Sequence, residues 1–95
     1  MSGCARLGDK DTGHGCFHGR QNIEASSDVF VDKKGVHRKG DRWITHCCHH
    51  HGCHSAQTST GSSSVFVNGK PVARIGDSLS CGGVIIEGSG TVFIG

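Results

Sequence analysis

Six cysteines and eight histidines stand in a chain of 95 residues, a density that points to metal or disulfide chemistry. All but Cys4 and His37 gather in three segments. After Asp9 the chain reads Asp11-Thr12-Gly13-His14-Gly15-Cys16-Phe17-His18, and after Asp77 it reads Ser78-Leu79-Ser80-Cys81-Gly82-Gly83. Between them, after Asp41, comes Arg42-Trp43-Ile44-Thr45-His46-Cys47-Cys48-His49-His50-His51-Gly52-Cys53-His54. His14 and His46 each lie five residues beyond their aspartate, and Cys81 lies four beyond its own. A fold that brings the three aspartates into equivalent places would gather these side chains at one point. Imidazole nitrogen and thiolate together suit zinc, a borderline-soft ion that takes four tetrahedral ligands in a structural site. The set read from this spacing is His14, His46, His51 and Cys81, with the chain turning back at Gly52.

The other ligand-type residues have plainer readings. His49, His50 and His54 are expected in a solvated loop. Cys4, Cys16, Cys47, Cys48 and Cys53 read as small buried residues, free thiols, or partners in a disulfide such as Cys4–Cys16 or Cys16–Cys53. A second metal on Cys16, His18, Cys48 or Cys53 is a further alternative. The vicinal pair Cys47-Cys48 is a poor disulfide on geometry. Neither a Cys-x-x-Cys knuckle nor a His-Glu-x-x-His helix is present. Trp43, the single tryptophan, is expected to cover the start of the histidine-rich loop.

These residues need a scaffold, and the sequence supplies one by repetition. Ser26 to Asp41 (SSDVFVDKKGVHRKGD) and Ser62 to Asp77 (SSSVFVNGKPVARIGD) share ten identities in 16 positions at a constant offset of 36. Ala5-Arg6-Leu7-Gly8-Asp9 matches Ala73-Arg74-Ile75-Gly76-Asp77, and Val92-Phe93-Ile94 matches Val65-Phe66-Val67. The chain thus carries three Arg-x-Gly-Asp and three Val-Phe-Val/Ile elements, as if a repeat had been cut at a different point. Each unit reads as strand, turn, strand, with Asn68-Gly69 a two-residue type I′ signal. Asp32-Lys33 suggests a looser or longer turn, and Pro71 must sit at a strand start or edge. Three units closing about an axis with pseudo-threefold symmetry would share a small core of Phe30, Phe66, Phe93 and the flanking valines. Asp9, Asp41 and Asp77 are expected to bind their own turns and pair with Arg6, Arg38 and Arg74. An acid repeated three times suits a scaffold better than a catalytic site.

Composition agrees with an all-β reading. Valine and isoleucine total 14 residues against two leucines, and glycine alone supplies 16. Leu, Ile, Val and Phe together make only 20 of 95 residues, a lean core for one domain spanning residues 1–95. Such a chain calls for a staple, and a zinc module gains roughly 10–16 kcal/mol of apparent free energy from its ion. The formal charge is +2, without a basic stripe for nucleic acid. No apolar run is long enough for a membrane helix, and no apolar h-region marks an ordinary signal peptide.

Residues 68–77, Asn-Gly-Lys-Pro-Val-Ala-Arg-Ile-Gly-Asp, resemble the signature of the PAAR-repeat family, the spike-tip proteins of contractile phage tails and type VI secretion systems. Pro71-Val72-Ala73-Arg74 stands for the Pro-Ala-Ala-Arg motif itself, with a degenerate copy at Gly35-Val36-His37-Arg38. His14-Gly15, His46-x-Cys48-x-x-His51-Gly52, Cys81-Gly82-Gly83 and Val92-Phe93-Ile94-Gly95 follow the same pattern, while His49 stands where proline is common. The resemblance implies a conical β structure with zinc near its apex, iron being the alternative ion, held by three histidines and one cysteine. By motif position these are His14, His46, His51 and Cys81. It further implies a non-enzymatic tip whose wide base caps a trimeric β-helical spike, one copy per spike, and which meets the target envelope transiently. The tip would belong to a virion baseplate, or to a type VI system that holds it in the cytoplasm before firing and secretes it without a signal peptide. The absence of an appended effector suggests a bare tip, with a slight preference for phage. A zinc-binding nucleic-acid or protein module and a small zinc hydrolase are the rival readings. The first lacks a basic face, and the second lacks an open metal position and a general base.

Overall fold

The computed structural model describes residues 1–49 and 51–95; His50 lies outside the described residues. The described residues form eight strands and no helix. In chain order these are β1 (Ser2–Gly3), β2 (Phe30–Val31), β3 (Lys34–Gly35), β4 (Arg42–Cys48), β5 (Gly52–Gln57), β6 (Phe66–Val67), β7 (Lys70–Pro71) and β8 (Phe93–Ile94). They pair antiparallel as β1–β8, β2–β3, β4–β5 and β6–β7.

Three of these pairs are the repeat. In β6–β7, Val67 faces Lys70 across Asn68-Gly69, and both turn residues have positive φ (55° and 77°), as a type I′ turn demands. The β2–β3 turn is not looser. Val31 faces Lys34 across Asp32-Lys33, again with positive φ (54° and 67°), although neither residue is glycine. What holds Asp32 is its carboxylate, which accepts from Arg6 Nη1 at 2.7 Å and Thr91 Oγ1 at 3.1 Å. The third pair joins the first and last strands, Ser2 facing Ile94 and Gly3 facing Phe93.

The three Arg-x-Gly-Asp segments are hydrogen-bonded in a closed cycle. The Ala5 amide donates to Ala73 O, the Ala73 amide to His37 O, and the His37 amide to Ala5 O, each at 3.0 Å. A second cycle runs Leu7 to Gly35 (2.8 Å), Lys39 to Pro71 (2.8 Å) and Ile75 to Gly3 (3.0 Å). Such rings close only if each segment meets both others. Each segment then ends alike, with its aspartate accepting from the arginine backbone amide, Nε and Nη2 at 2.7–3.1 Å. The bidentate pairing satisfies the turn and fixes the guanidinium together. Gly8, Gly40 and Gly76 hold φ of 88°, 90° and 96° within these turns, a region costly for any side chain.

The core corrects one expectation. Phe30, Phe66 and Phe93 are 60%, 55% and 50% exposed, so they do not form the shared core. Strand alternation explains it: in Val-Phe-Val the phenylalanine points opposite to the residue that follows it. Val31, Val65, Val67 and Ile94 pack instead against buried Cys4, Val36 and Val72. A second buried cluster comprises Ala5, Trp43, Ala56, Ala73, Leu79 and Ile85, with Cys81 packed against it. Trp43 therefore lies inside the core at the start of β4. Its Nε1 donates to Thr58 Oγ1 at 2.9 Å, and His37 meets its ring edge-on.

Candidate metal centre

The long pair β4–β5 carries the histidine-rich segment. After a register shift between Trp43 and His46, His46 faces His54, Cys47 faces Cys53 and Cys48 faces Gly52. Cross-strand partners share a face, and neighbouring pairs alternate between faces. His46 and His54 thus share a face, with Nε2 atoms 2.7 Å apart, while Cys47 and Cys53 close a disulfide on the next rung.

His14 arrives on a tight turn, in which His14 and Phe17 exchange both backbone hydrogen bonds (2.9 and 2.8 Å) and Gly15 takes φ of 55°. Its Nε2 lies 3.0 Å from that of His54. The Cys16–Cys48 disulfide ties this turn to the end of β4. Cys81 enters from the third segment, where the Leu79 amide donates to Gly83 O and the Gly82 amide to Leu79 O. The ligand atoms of His14, His46, His54 and Cys81 all lie within 4.8 Å of one another. Phe17 packs among the three imidazoles, its ring centre 4.9, 4.8 and 4.3 Å from those of His14, His46 and His54.

Of the four residues read from the spacing, His14, His46 and Cys81 come together, and His51 does not join them. Its exposed ring lies beside the sulfurs of Cys16 and Cys48, while His54 stands in the cluster. The reason is hairpin register. Beyond the register shift, residues whose numbers sum to 100 face one another across β4–β5, which gives His46 to His54 and leaves His51 in the turn. The symmetric placement of Cys47 and Cys53 about residue 50 was the signal in the sequence.

Electrostatics favour ligand-ready side chains. His46 is buried, and desolvation pushes its pKa down despite the carbonyl of His18, which receives its Nδ1–H at 2.9 Å. That bond leaves Nε2 with its lone pair free, the usual orienting device of a metal-bound histidine. His54 is also shifted down, first by desolvation and then by the nearby His46, His14 and Arg20. Neutral imidazole is the form that binds a metal.

Two residues absent from the spacing argument support the site. Buried Arg20 donates from Nη2 to Cys81 Sγ at 3.0 Å, and from Nη1 to the carbonyls of Ile44 (3.0 Å) and His54 (3.3 Å). Asp11 accepts from the Arg20 backbone amide at 2.8 Å and sets its carboxylate 3.6 Å from Arg20 Nε. The other free thiol is inert by contrast. Cys4 is buried, and desolvation raises its thiol pKa to about 11. Neither of the disulfides named as examples, Cys4–Cys16 or Cys16–Cys53, forms; the pairs are Cys16–Cys48 and Cys47–Cys53. Three imidazoles and one thiol at these separations could hold a metal ion.

A search of curated proteins finds no match to the chain. The PAAR motif matches residues 7–87, a span that takes in both β4 and β5 and all four clustered side chains, and the chain belongs to the PAAR-motif family.

Proposed function

We propose that this protein is the metal-stabilised tip of a contractile injection machine, seated on a trimeric β-helical spike. Membership of the PAAR-motif family supports a spike-tip role, structural and non-enzymatic. The observation that carries the finer reading is the double cycle of hydrogen bonds among residues 3–7, 35–39 and 71–75. A single chain organised that way can meet a threefold partner with three related edges, which resolves a one-to-three mismatch. The hairpins present Phe30, Phe66 and Phe93 outward, one from each unit, as a ready apolar contact for the spike. The short outer strands can extend the partner's terminal strands by backbone pairing. On this reading the molecule is pseudo-threefold and conical, and the His/Cys cluster stiffens the end that strikes the envelope.

His14, His46, His54 and Cys81 are the ligands in this proposal, His54 replacing His51 of the spacing argument, and zinc is the ion. The donor set fits zinc because borderline-soft ions accept nitrogen and sulfur together, and oxygen donors are absent from the cluster. Four protein ligands leave no open position for hydrolysis. The tip would ride on a phage tail or a type VI spike. Among the described residues no helix is long and apolar enough to cross a membrane.

Two measurements test the proposal. X-ray absorption at the zinc edge of the oxidised protein should give three nitrogens and one sulfur, and Cys81→Ser should lose the sulfur together with part of the bound zinc. Mixing with the cognate spike should give one tip per trimer, and Phe30→Asp/Phe66→Asp/Phe93→Asp should abolish the complex while leaving the fold intact. A triple variant that still binds would refute the docking face.

A further inference from the structure

Outside the four-residue cluster, one other group gathers soft donors. The sulfurs of Cys16 and Cys48 and a ring nitrogen of His51 lie within 4.8 Å of one another, and they share no residue with the first cluster. Cys16 sits in the 14–17 turn, Cys48 ends β4, and the His51 amide donates to Cys48 O at 3.1 Å, which holds the histidine against the sulfurs. Cys48 is buried, whereas Cys16 and His51 are exposed. In the structure the two sulfurs are joined as a disulfide.

We propose that Cys16, Cys48 and His51 form a second binding site for a thiophilic divalent cation, Zn²⁺, which opens when the Cys16–Cys48 disulfide is reduced and closes when it re-forms. Two thiolates and an imidazole are soft-to-borderline donors, and no carboxylate stands among them, so calcium and magnesium are poor candidates. Exposure of Cys16 and His51 gives both reductant and cation access, and buried Cys48 anchors the site. A cellular thiol reductant supplies two electrons and two protons to the S–S bond, leaving two cysteine thiols and becoming a disulfide itself. Zn²⁺ then displaces the two thiol protons to form two Zn–S bonds, with His51 as third ligand and one position open to solvent. Sulfur cannot serve both states at once. The 14–17 turn is therefore pinned to β4 by metal in a reducing compartment and by a covalent bond in an oxidising one.

The test is a metal count on the intact protein, oxidised and after reduction by a phosphine, which leaves as its oxide and does not compete as a thiol ligand. Both samples are saturated anaerobically with Zn²⁺, desalted and analysed for zinc, with Co²⁺ as a spectroscopic replacement. Reduction should add one equivalent and strengthen the thiolate-to-cobalt absorption. His51→Ala and Cys16→Ser should each lose that added equivalent, whereas Cys47→Ser/Cys53→Ser should keep it. Cys81→Ser should lower the count in both redox states without removing the increment, which separates this site from the first. No increment on reduction, an increment surviving Cys16→Ser, or an increment lost in Cys47→Ser/Cys53→Ser would each overturn the proposal.

Discussion

The Arg20 guanidinium donates to the Cys81 sulfur at 3.0 Å and, with its other Nη, to the carbonyls of Ile44 and His54. One buried cation thereby touches all three pieces of chain that deliver β4, β5 and Cys81 to the candidate centre. The Arg20 N–H holds the Cys81 sulfur in place beside the three imidazoles. Arg20→Gln should weaken zinc binding by about 10–100-fold, the usual cost of losing an outer-shell partner. Arg20→Lys should recover only part of it, because an ammonium cannot reproduce the fork. Competition with a chromogenic chelator measures both.

Metal removal should matter more to this chain than to one with an ordinary core. The two buried clusters contain only small side chains besides Trp43, Leu79 and Ile85. A loss of about 3 kcal/mol in a domain this size would lower Tm by more than about 10 °C. Chelation of the oxidised protein should therefore lower Tm by at least that much. Chelation after disulfide reduction should lower it further. Calorimetry of the four states checks the order.

Acid should destabilise the fold through His37. This side chain is fully buried, and desolvation lowers its pKa, partly opposed by the Glu24 carbonyl and the Asp41 charge. Its Nδ1–H donates to Glu24 O at 2.7 Å, so Nε2 must accept from the Thr58 hydroxyl, 2.7 Å away, which in turn accepts from Trp43. A second ring proton would meet the hydroxyl hydrogen of Thr58, which would have to turn away and give up this bond. The folded state thus binds fewer protons than the unfolded chain. The stabilisation is present above the ordinary histidine value near ~6.5 and is lost as pH falls from there toward the lowered folded value. Within that window stability should drop by up to about 1.4 kcal/mol per pH unit. His37→Ala, matching Ala5 and Ala73 in the cycle, should flatten this dependence in urea titrations across the acid range.

Lys33 and Gly69 occupy equivalent turn positions, with φ of 67° and 77°. Only glycine takes that conformation without a side-chain penalty. Lys33→Gly should therefore stabilise the protein by about 0.5–1 kcal/mol, net of the greater freedom of the unfolded glycine. Denaturant midpoints at unchanged slope would verify it.

Much of this was legible in the residues. The recurrence at offset 36 announced the hairpins, and the Arg-x-Gly-Asp runs announced the turns that close on themselves. His14, His46 and Cys81 followed from their distances to the aspartates. Two things were not legible for physical reasons. Which side of a two-residue strand faces inward depends on the neighbours it meets, so of the phenylalanines and flanking valines expected in the core, Val31, Val65 and Val67 pack there and the three phenylalanines do not. The third histidine depends on where a hairpin turns, and the register that sets His54 opposite His46 leaves His51 in the turn. Asp11 and Arg20 flank His14 in the chain, three residues before it and six after, with no local pattern to mark them.

The pairing of β1 with β8 leaves the polypeptide's two ends side by side, in the place where the other units have their two-residue turns. Residues near 1 and 95 are thereby joined by a strand pair and not by a covalent turn. Linking Gly95 to Met1 through Asn-Gly and cutting between Asn68 and Gly69 would relocate the opening and leave every ladder in place. Genetic fusions at either end would emerge from the same edge, beside the hairpins and not beside the histidines.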